Sequence, residues 1–274
     1  MINFDSKENG MLSKILLKNY PTLSFAELKV LFRKKDIKIN GKRVNQDVAI
    51  STGDNIVVYN KEKTVDVIYE DVNIMIVHKP YGVETTTIDK SYSGKSLEEM
   101  TGCYACHRLD MNTEGIVILA KTESVRDEIF AEFKKGNVHK TYIALVKGEV
   151  KKIEDTLNHY LVKGDDRVYV YKDKVKDASN IITKYKVLEV LDDMTKVEVD
   201  LVTGKTHQIR AHMAYIGHPV VGDNKYGDKD FNKSKGVKKQ CLCAYKVELN
   251  FESGRLKYLN GVEYKTLHIS KYRA

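Results

Sequence analysis

The fold of this chain is decided by the stretch HRLDMNTEGIVILA, residues 107–120. Its second half, Gly115 to Ala120, is a continuous apolar run, which predicts a central strand buried on both faces of a sheet. Its polar first half predicts a loop that places the carboxylate of Asp110 beside this strand. A single Asp in a loop usually forms a turn or a cap, so a chemical role for Asp110 depends on the rest of the chain.

The elements predicted around this stretch favour an α+β domain with a mixed, largely antiparallel central sheet flanked by helices. Strand patterns cover four further ranges: 73–78, 140–146, 184–191 and 196–202. The last two are predicted to form a hairpin around residues 192–195. A helix is predicted between a cap at Thr122 and a stop at Gly136. Because hairpin-connected strands outnumber helices, a doubly wound parallel sheet is disfavoured.

The first 62 residues predict a small α/β module ahead of a main domain over residues 63–274, with a polar linker at residues 60–64. A short helix is predicted near residues 11–18, and a second begins at the capping box Ser24–Glu27. After it, Asn40-Gly41 predicts a tight turn between two short strands.

Basic charge is concentrated in this first module. Residues 1–64 carry 12 basic and seven acidic groups, whereas the remaining 210 residues carry 34 and 31. The excess indicates contact with a polyanion, nucleic acid first, although a solvated lysine-rich face has the same composition. The basic side chains predicted to contact RNA phosphates are Arg33, Lys34, Lys35, Lys38, Lys42 and Arg43.

The composition is that of an ordinary globular protein. Of its 274 residues, 42% are hydrophobic and 31% are charged, and the net charge is +8. No apolar run approaches the roughly 18 residues that span a bilayer, and no secretory signal is visible. We therefore expect a cytoplasmic protein without a membrane partner. No feature requires an oligomer, so a monomer is expected.

The four cysteines have uneven spacing, which does not suit a disulfide framework. Cys103-Tyr104-Ala105-Cys106-His107 has the spacing of a c-type haem attachment site, but that chemistry requires export. A zinc site could join Cys103 and Cys106 to Cys241 and Cys243, although structural zinc sites more often have two tight local pairs. We expect packed free thiols and no metal, and whether the four cluster in space stays open.

Three segments resemble, in order and spacing, the signatures of the RluA-type RNA pseudouridine synthases: His107–Gly115, Lys140–Gly148 and Leu201–His212. Residues 70–82 and 218–227 extend this resemblance, which covers residues 65–252. The first 60 residues resemble a small RNA-binding module named after the small-subunit ribosomal protein S-four, which often precedes this catalytic domain. The resemblance implies the pseudouridine synthase fold.

The resemblance also implies a reaction in which a uridine in RNA becomes pseudouridine. The bond between ribose and the base nitrogen breaks, the base turns, and a carbon bond forms, so no cofactor is needed. Asp110 matches the catalytic aspartate of the family, and Arg210 matches its counter-ion. A carboxylate in a water-excluded pocket requires such a cation to stay ionised. Whether Asp110 attacks the sugar or removes a sugar proton stays open.

The target base must leave the RNA stack to be reached. The resemblance implies that Tyr142 stacks on this base, with Leu201 on the other side, and that Arg108 fills the space the base vacates. Tyr142 is also a candidate for proton transfer at the base carbon. The matching segments add three more candidates for RNA or base contact: His107, Thr206 and His207.

By analogy, large-subunit ribosomal RNA is the favoured substrate, with transfer RNA as an alternative. Many family members have Asp-Thr-Ser-Gly where this chain has Asn112-Thr113-Glu114-Gly115, which bears on RNA preference. The competing hypothesis is a ribosome-associated RNA-binding protein with an inactive synthase fold. The joint presence of Asp110, Tyr142 and Arg210 favours the enzyme, because an inactive fold has no chemical reason to retain all three.

Overall fold

The computed structural model describes residues 2–20, 25–59, 65–87 and 95–267. The chain forms two compact units, Met1–Thr64 with Thr86–Met100 and Val65–Thr85 with Thr101–Ala274. The predicted boundary at residues 62 and 63 and the cap residue Ser24 lie outside the described residues, so the division into two domains stays a prediction. None of the described helices is long and apolar enough to cross a membrane.

The N-terminal part of the first unit packs two helices against a small antiparallel sheet. Its elements are β1 (Ile2–Asp5), β2 (Gly10–Met11), α1 (Leu12–Asn19), α2 (Phe25–Lys34), β3 (Ile37–Ile39), β4 (Lys42–Val44), β5 (Ala49–Ile50) and β6 (Asn55–Val58). The sheet order is β1-β6-β3-β4, and Leu12, Leu28 and Ile56 lie in the core beneath it. Asn40 and Gly41 both have positive φ, 49° and 78°, so the predicted tight turn joins β3 to β4.

The rest of the chain is built around an eleven-stranded sheet. Helix α3 (Leu97–Thr101) belongs, apart from its last residue, to the first unit. The remaining elements are β7 (Asp66–Glu70), β8 (Ile74–Lys79), β9 (Tyr104–Ala105), β10 (Glu114–Ala120), α4 (Glu123–Lys135), β11 (Val138–Lys147), β12 (Glu154–Lys163), β13 (Val168–Tyr171), β14 (Ser179–Leu191), β15 (Met194–Leu201), α5 (Gln208–Tyr215), α6 (Lys229–Ser234), β16 (Leu242–Leu249), the 3₁₀ helix Lys257–Leu259 and β17 (Glu263–Lys265).

The sheet is mixed and largely antiparallel, as predicted. Its order is β13-β12-β14-β15-β11-β16-β10-β8-β7, with β17 beside β16 and β9 beside β10. Within the described ranges, only β10 and β16 pair in parallel. All seven residues of β10 are buried. The continuous apolar run therefore forms an interior strand covered on both faces, as its pattern predicts.

The ends of β10 and of the helix after it follow from local chemistry. Gly115 has φ +122°, and a β-carbon there would lie 2.3 Å from the carbonyl oxygen of Ala244, so β10 and β16 approach each other only because this residue is glycine. After β10, the Thr122 hydroxyl accepts the N–H of Val125, and Gly136 ends α4 in the left-handed conformation. The close approach of β10 and β16 sets the sheet spacing next to the Asp110 loop.

Candidate active site

The side chain of Arg210 lies between two carboxylates, those of Asp110 and Asp223. Its Nη1 donates to Asp110 Oδ2 at 2.7 Å, while Nε and Nη2 donate to the two oxygens of Asp223 at 2.6 and 3.0 Å. Asp223 is completely buried, whereas the side chain of Asp110 is 27% exposed. The guanidinium thus connects a buried anchor to a carboxylate that is open to solvent.

Asp223 is held by its own loop as well as by Arg210. Its Oδ1 accepts the backbone N–H groups of Lys225 and Tyr226 at 2.8 and 3.0 Å. Burial acts to raise the pKa of Asp223, but the hydrogen bonds and charge of Arg210 outweigh it and lower that pKa below its usual value. Asp223 therefore stays ionised and fixes the orientation of Arg210.

The loop that carries Asp110 is held by contacts with residues 79–85. The ammonium of Lys79, which is completely buried, donates to the carbonyl oxygens of Val83 and Met111 at 2.7 and 3.2 Å. The Thr85 hydroxyl donates to the carbonyl of Leu109 and accepts its N–H. These contacts on both sides of Asp110 limit how far its carboxylate can move away from Arg210.

His207 stands immediately before α5 in the left-handed conformation, with φ 55°. Its Nδ1 lies 2.9 Å from the Tyr226 hydroxyl, which accepts the N–H of Val168 and so has its own hydrogen to donate. A neutral His207 then carries its proton on Nε2, which lies 3.8 Å from Asp110 Oδ2. Burial lowers the pKa of His207, and with the charge of Arg210 it outweighs the charge of Asp110, which acts to raise that pKa. A neutral N–H therefore faces the Asp110 carboxylate at neutral pH.

Helix α5, which carries Arg210, is clamped to β14 on its other face. Thr183 Oγ1 accepts a hydrogen bond from Gln208 Nε2 at 3.0 Å and lies 2.9 Å from His212 Nδ1, one helical turn further along. His212 Nε2 lies 2.8 Å from His159 Nδ1 of β12. Burial lowers the pKa of His212 to about 4, so this chain of polar groups is uncharged at neutral pH. It fixes the position of α5 without adding charge to the site.

Tyr142 lies on β11 and is 4% exposed. It stands opposite Ala244 of β16, which in turn stands opposite Gly115 of β10, so one row of the sheet leads from Tyr142 to the strand that follows the Asp110 loop. Burial, with the charge of Asp110 as a second cause, raises the pKa of the Tyr142 phenol. The phenol is therefore protonated at neutral pH. Leu201, at the end of β15, shares the sheet face of Tyr142, because Val199 is the partner of Tyr142 and lies two residues before Leu201.

The other predicted contact residues fall into three groups. Arg108 and Thr206 are exposed at the edge of the site. The imidazole of His107 instead packs against the ring of Phe133, with centroids 5.2 Å apart, and its Nε2 accepts the N–H of Ile118. The six basic residues of the N-terminal module belong to the other compact unit, where all except the half-buried Lys38 are exposed.

The cysteines are free thiols. Cys106 packs in the core cluster that contains Ile116, and Cys243 packs in a separate cluster that contains Ile143. Across the part of the chain that the structure describes, no three His, Cys, Asp or Glu side chains are placed to hold a metal ion. The groups gathered around Asp110 are its own carboxylate, paired with the guanidinium of Arg210, together with a protonated phenol and a neutral imidazole.

Residues 73–215 match the RNA pseudouridylate synthase family. This chain belongs to that family. It is 30% identical over 235 residues to the ribosomal large subunit pseudouridine synthase C of Vibrio parahaemolyticus, covering 75% of this chain and 73% of the relative. It is also 30% identical over 213 residues to an uncharacterized RNA pseudouridine synthase of Bacillus subtilis, covering 70% and 75%.

The fold of the synthase agrees with this assignment. Human RNA pseudouridylate synthase domain containing 1 superposes with a TM-score of 0.64 at 22% identity, covering 78% of this chain and 87% of that protein. The predicted family, fold class and enzyme class are thus confirmed. The N-terminal S-four-like module and the roles of individual site residues stay predictions.

Sequence analysis did not select three residues that the structure places in the site: Asp223, Tyr226 and His212. All three lie in segments that carry the family resemblance. A signal was present for Asp223, because a buried arginine between two elements needs more than one carboxylate oxygen to satisfy its donors. The contacts of Tyr226 and His212 join segments that are far apart in the sequence, so no local sequence pattern predicts them.

Proposed function

We propose that this synthase converts a uridine of large-subunit ribosomal RNA to pseudouridine, with Asp110 as the group that acts on the ribose. The observation that carries the proposal is the 2.7 Å hydrogen bond from Arg210 to Asp110, which orients the carboxylate while part of it stays accessible. The ribosomal substrate is supported by the name of the Vibrio relative. Transfer RNA is the alternative.

In this mechanism the extruded base packs against Tyr142, with Leu201 on the same sheet face. The bond from ribose C1′ to N1 breaks, the base turns, and a bond from C1′ to C5 forms. The proton lost from C5 balances the proton gained at N1, so nothing is oxidised and no group is transferred to another molecule. The protonated phenol of Tyr142 and the Nε2–H of His207 lie near Asp110 and are the available donors. Since all these groups come from one chain, a monomer suffices for the reaction. We place this monomer in the cytoplasm.

The N-terminal unit supplies a second surface for the same RNA. The ring of Tyr59 has the Lys38 ammonium 5.4 Å and the Arg43 guanidinium 5.5 Å from its centroid. An aromatic ring flanked by cations suits an unpaired base next to phosphates. Replacing Lys34 and Lys42 by Glu should lower the salt dependence of RNA binding, by about 0.7 to 0.9 in the log–log slope for each phosphate that is no longer neutralised. An unchanged slope would contradict this role.

The experiment that tests the function is pseudouridine mapping on total RNA from cells that lack the gene, complemented with wild type, Asp110→Asn or Asp173→Asn. Asp173 is an exposed carboxylate outside the site and serves as the matched control. We expect one or a few ribosomal sites to disappear on deletion and to return with wild type and Asp173→Asn only. If the pseudouridines that disappear lie in transfer RNA, then transfer RNA is the substrate. No change in any RNA would favour the inactive RNA-binding protein.

A further inference from the structure

Lys140 lies on β11 two residues before Tyr142, so both side chains are on the same face of the sheet. Its ammonium is 5.3 Å from the centroid of the Phe133 ring. It is also 4.0 Å from the position a β-carbon would take at Gly204, in the loop that leads to His207 and α5. The ammonium therefore stands beside the loop that carries the Arg210 helix, on the strand that carries Tyr142.

No carboxylate among the described residues forms an ion pair with Lys140. Its neighbour on the Asp110 loop is His107, and burial together with the positive charge of Lys140 lowers the pKa of that imidazole well below its usual value. A neutral imidazole, an aromatic ring and a glycine cannot neutralise an ammonium. Lys140 thus differs from Arg210, whose charge is matched by two carboxylates.

When a cation beside an RNA-binding site has no carboxylate partner in the protein, a phosphate of the RNA can supply the negative charge. We propose that the Lys140 ammonium binds a phosphate of the RNA strand next to the target uridine. Gly204 has no side chain to keep the RNA backbone away from the ammonium. Lysine suits this task because it presents a compact charge that does not require a planar, two-pronged partner. The assignment rests on the proposed RNA substrate, and it adds a residue that positions the strand rather than one that reacts.

The ammonium has a property that makes the contact measurable. Burial lowers the pKa of Lys140 to about 8, and His107 is the titratable group beside it. Only the charged amine attracts a phosphate, so affinity should fall as pH rises through 8. Ordinary lysines titrate near 10.4 and arginines above 12, so other lysine and arginine side chains should contribute little to a change in this range, and any contribution from the α-amino group would persist in Lys140→Arg.

The test measures binding of an RNA hairpin containing the mapped uridine, in an Asp110→Asn background that prevents turnover. We expect affinity to fall about tenfold between pH 7 and 9. The variant Lys140→Arg should bind with no such fall, because a guanidinium keeps its charge. Lys140→Gln should already bind about tenfold more weakly at pH 7 and should also be insensitive to pH. Lys205→Arg, at an exposed lysine of the neighbouring loop, is the control that should retain the fall.

A second series replaces each phosphate flanking the uridine in turn by an uncharged methylphosphonate. At one position, the replacement should weaken RNA binding by the protein that retains Lys140 about tenfold. The same replacement should leave the affinity of Lys140→Gln unchanged. Equal losses in both proteins at every phosphate, or a fall with pH that persists in Lys140→Arg, would overturn the assignment. These outcomes are separate from failure of the proposed function, in which wild type makes no pseudouridine in any RNA. Thermal melting of Lys140→Arg and Lys140→Gln establishes that both fold.

Discussion

The Asp223→Asn substitution keeps the size of the side chain but removes the buried charge that faces Arg210. Asp223 accepts two hydrogen bonds from the guanidinium, and an amide nitrogen would place N–H groups against one of those donors. Breaking a buried ion pair costs about 3–5 kcal/mol, and the low end applies here because Arg210 keeps its contact with Asp110. We expect a loss of about 3 kcal/mol in the free energy of unfolding.

A domain of this size melts roughly 2–4 °C lower for each kcal/mol of stability that is removed, so the melting temperature of Asp223→Asn should drop by about 6–12 °C. The loss is smaller than the ~5–15 kcal/mol stability of typical domains, so the variant should still fold. Turnover should also decrease by about a hundredfold or more, because Arg210 loses its anchor and the geometry at Asp110 is no longer fixed.

The matched control is Asp110→Asn. The side chain of Asp110 is partly exposed and accepts one hydrogen bond from Arg210, so the substitution should cost about 1 kcal/mol while abolishing turnover. Both variants are compared by differential scanning calorimetry and by single-turnover pseudouridine formation. If Asp223→Asn melts like wild type, or if Asp110→Asn is the less stable of the two, the view of Asp223 as the buried anchor is wrong.

Three further predictions concern the fold and the site. Gly115→Ala should lower the free energy of unfolding on the order of 3 kcal/mol, seen as a lower urea midpoint, because its β-carbon would meet the backbone of Ala244; an unchanged midpoint would mean that the strands can separate at no cost. Tyr142→Phe should bind RNA like wild type, whereas Tyr142→Ala should lose about 1–3 kcal/mol in equilibrium binding, and equal affinities would argue against stacking. The pKa of His212 is about 4 in the folded state against 6.5 for an ordinary histidine, so the folded state binds this proton less tightly than the unfolded state does. The contribution of neutral His212 to the free energy of unfolding is therefore complete above pH 6.5, and the free energy of unfolding should fall by about 2 kcal/mol between pH 7 and 5. His212→Asn should lose that part of the pH dependence in urea titrations.

Local chemistry predicted the elements next to the site. The apolar run of β10, the Thr122 cap, the Gly136 stop and the Asn40-Gly41 turn each depend on neighbouring residues, and each is present. The pairing of β14 with β15 also follows from alternation along the chain, with Leu191 opposite Met194. Such features are set by backbone dihedral preferences and by burial of one face, which a short stretch of sequence contains in full.

The sequence by itself determined the RNA pseudouridine synthase family, because the segments that contain Asp110, Tyr142 and Arg210 resemble that family in order and spacing. Only the tertiary structure decided how these groups are held. The bidentate anchor at Asp223 and the clamp from His212 to Thr183 join residues from different elements, and the Lys140 ammonium is distinguished by having no carboxylate paired with it among the described residues. Pairing and burial are properties of the packed chain, so the charge balance of a site is fixed only when distant segments meet.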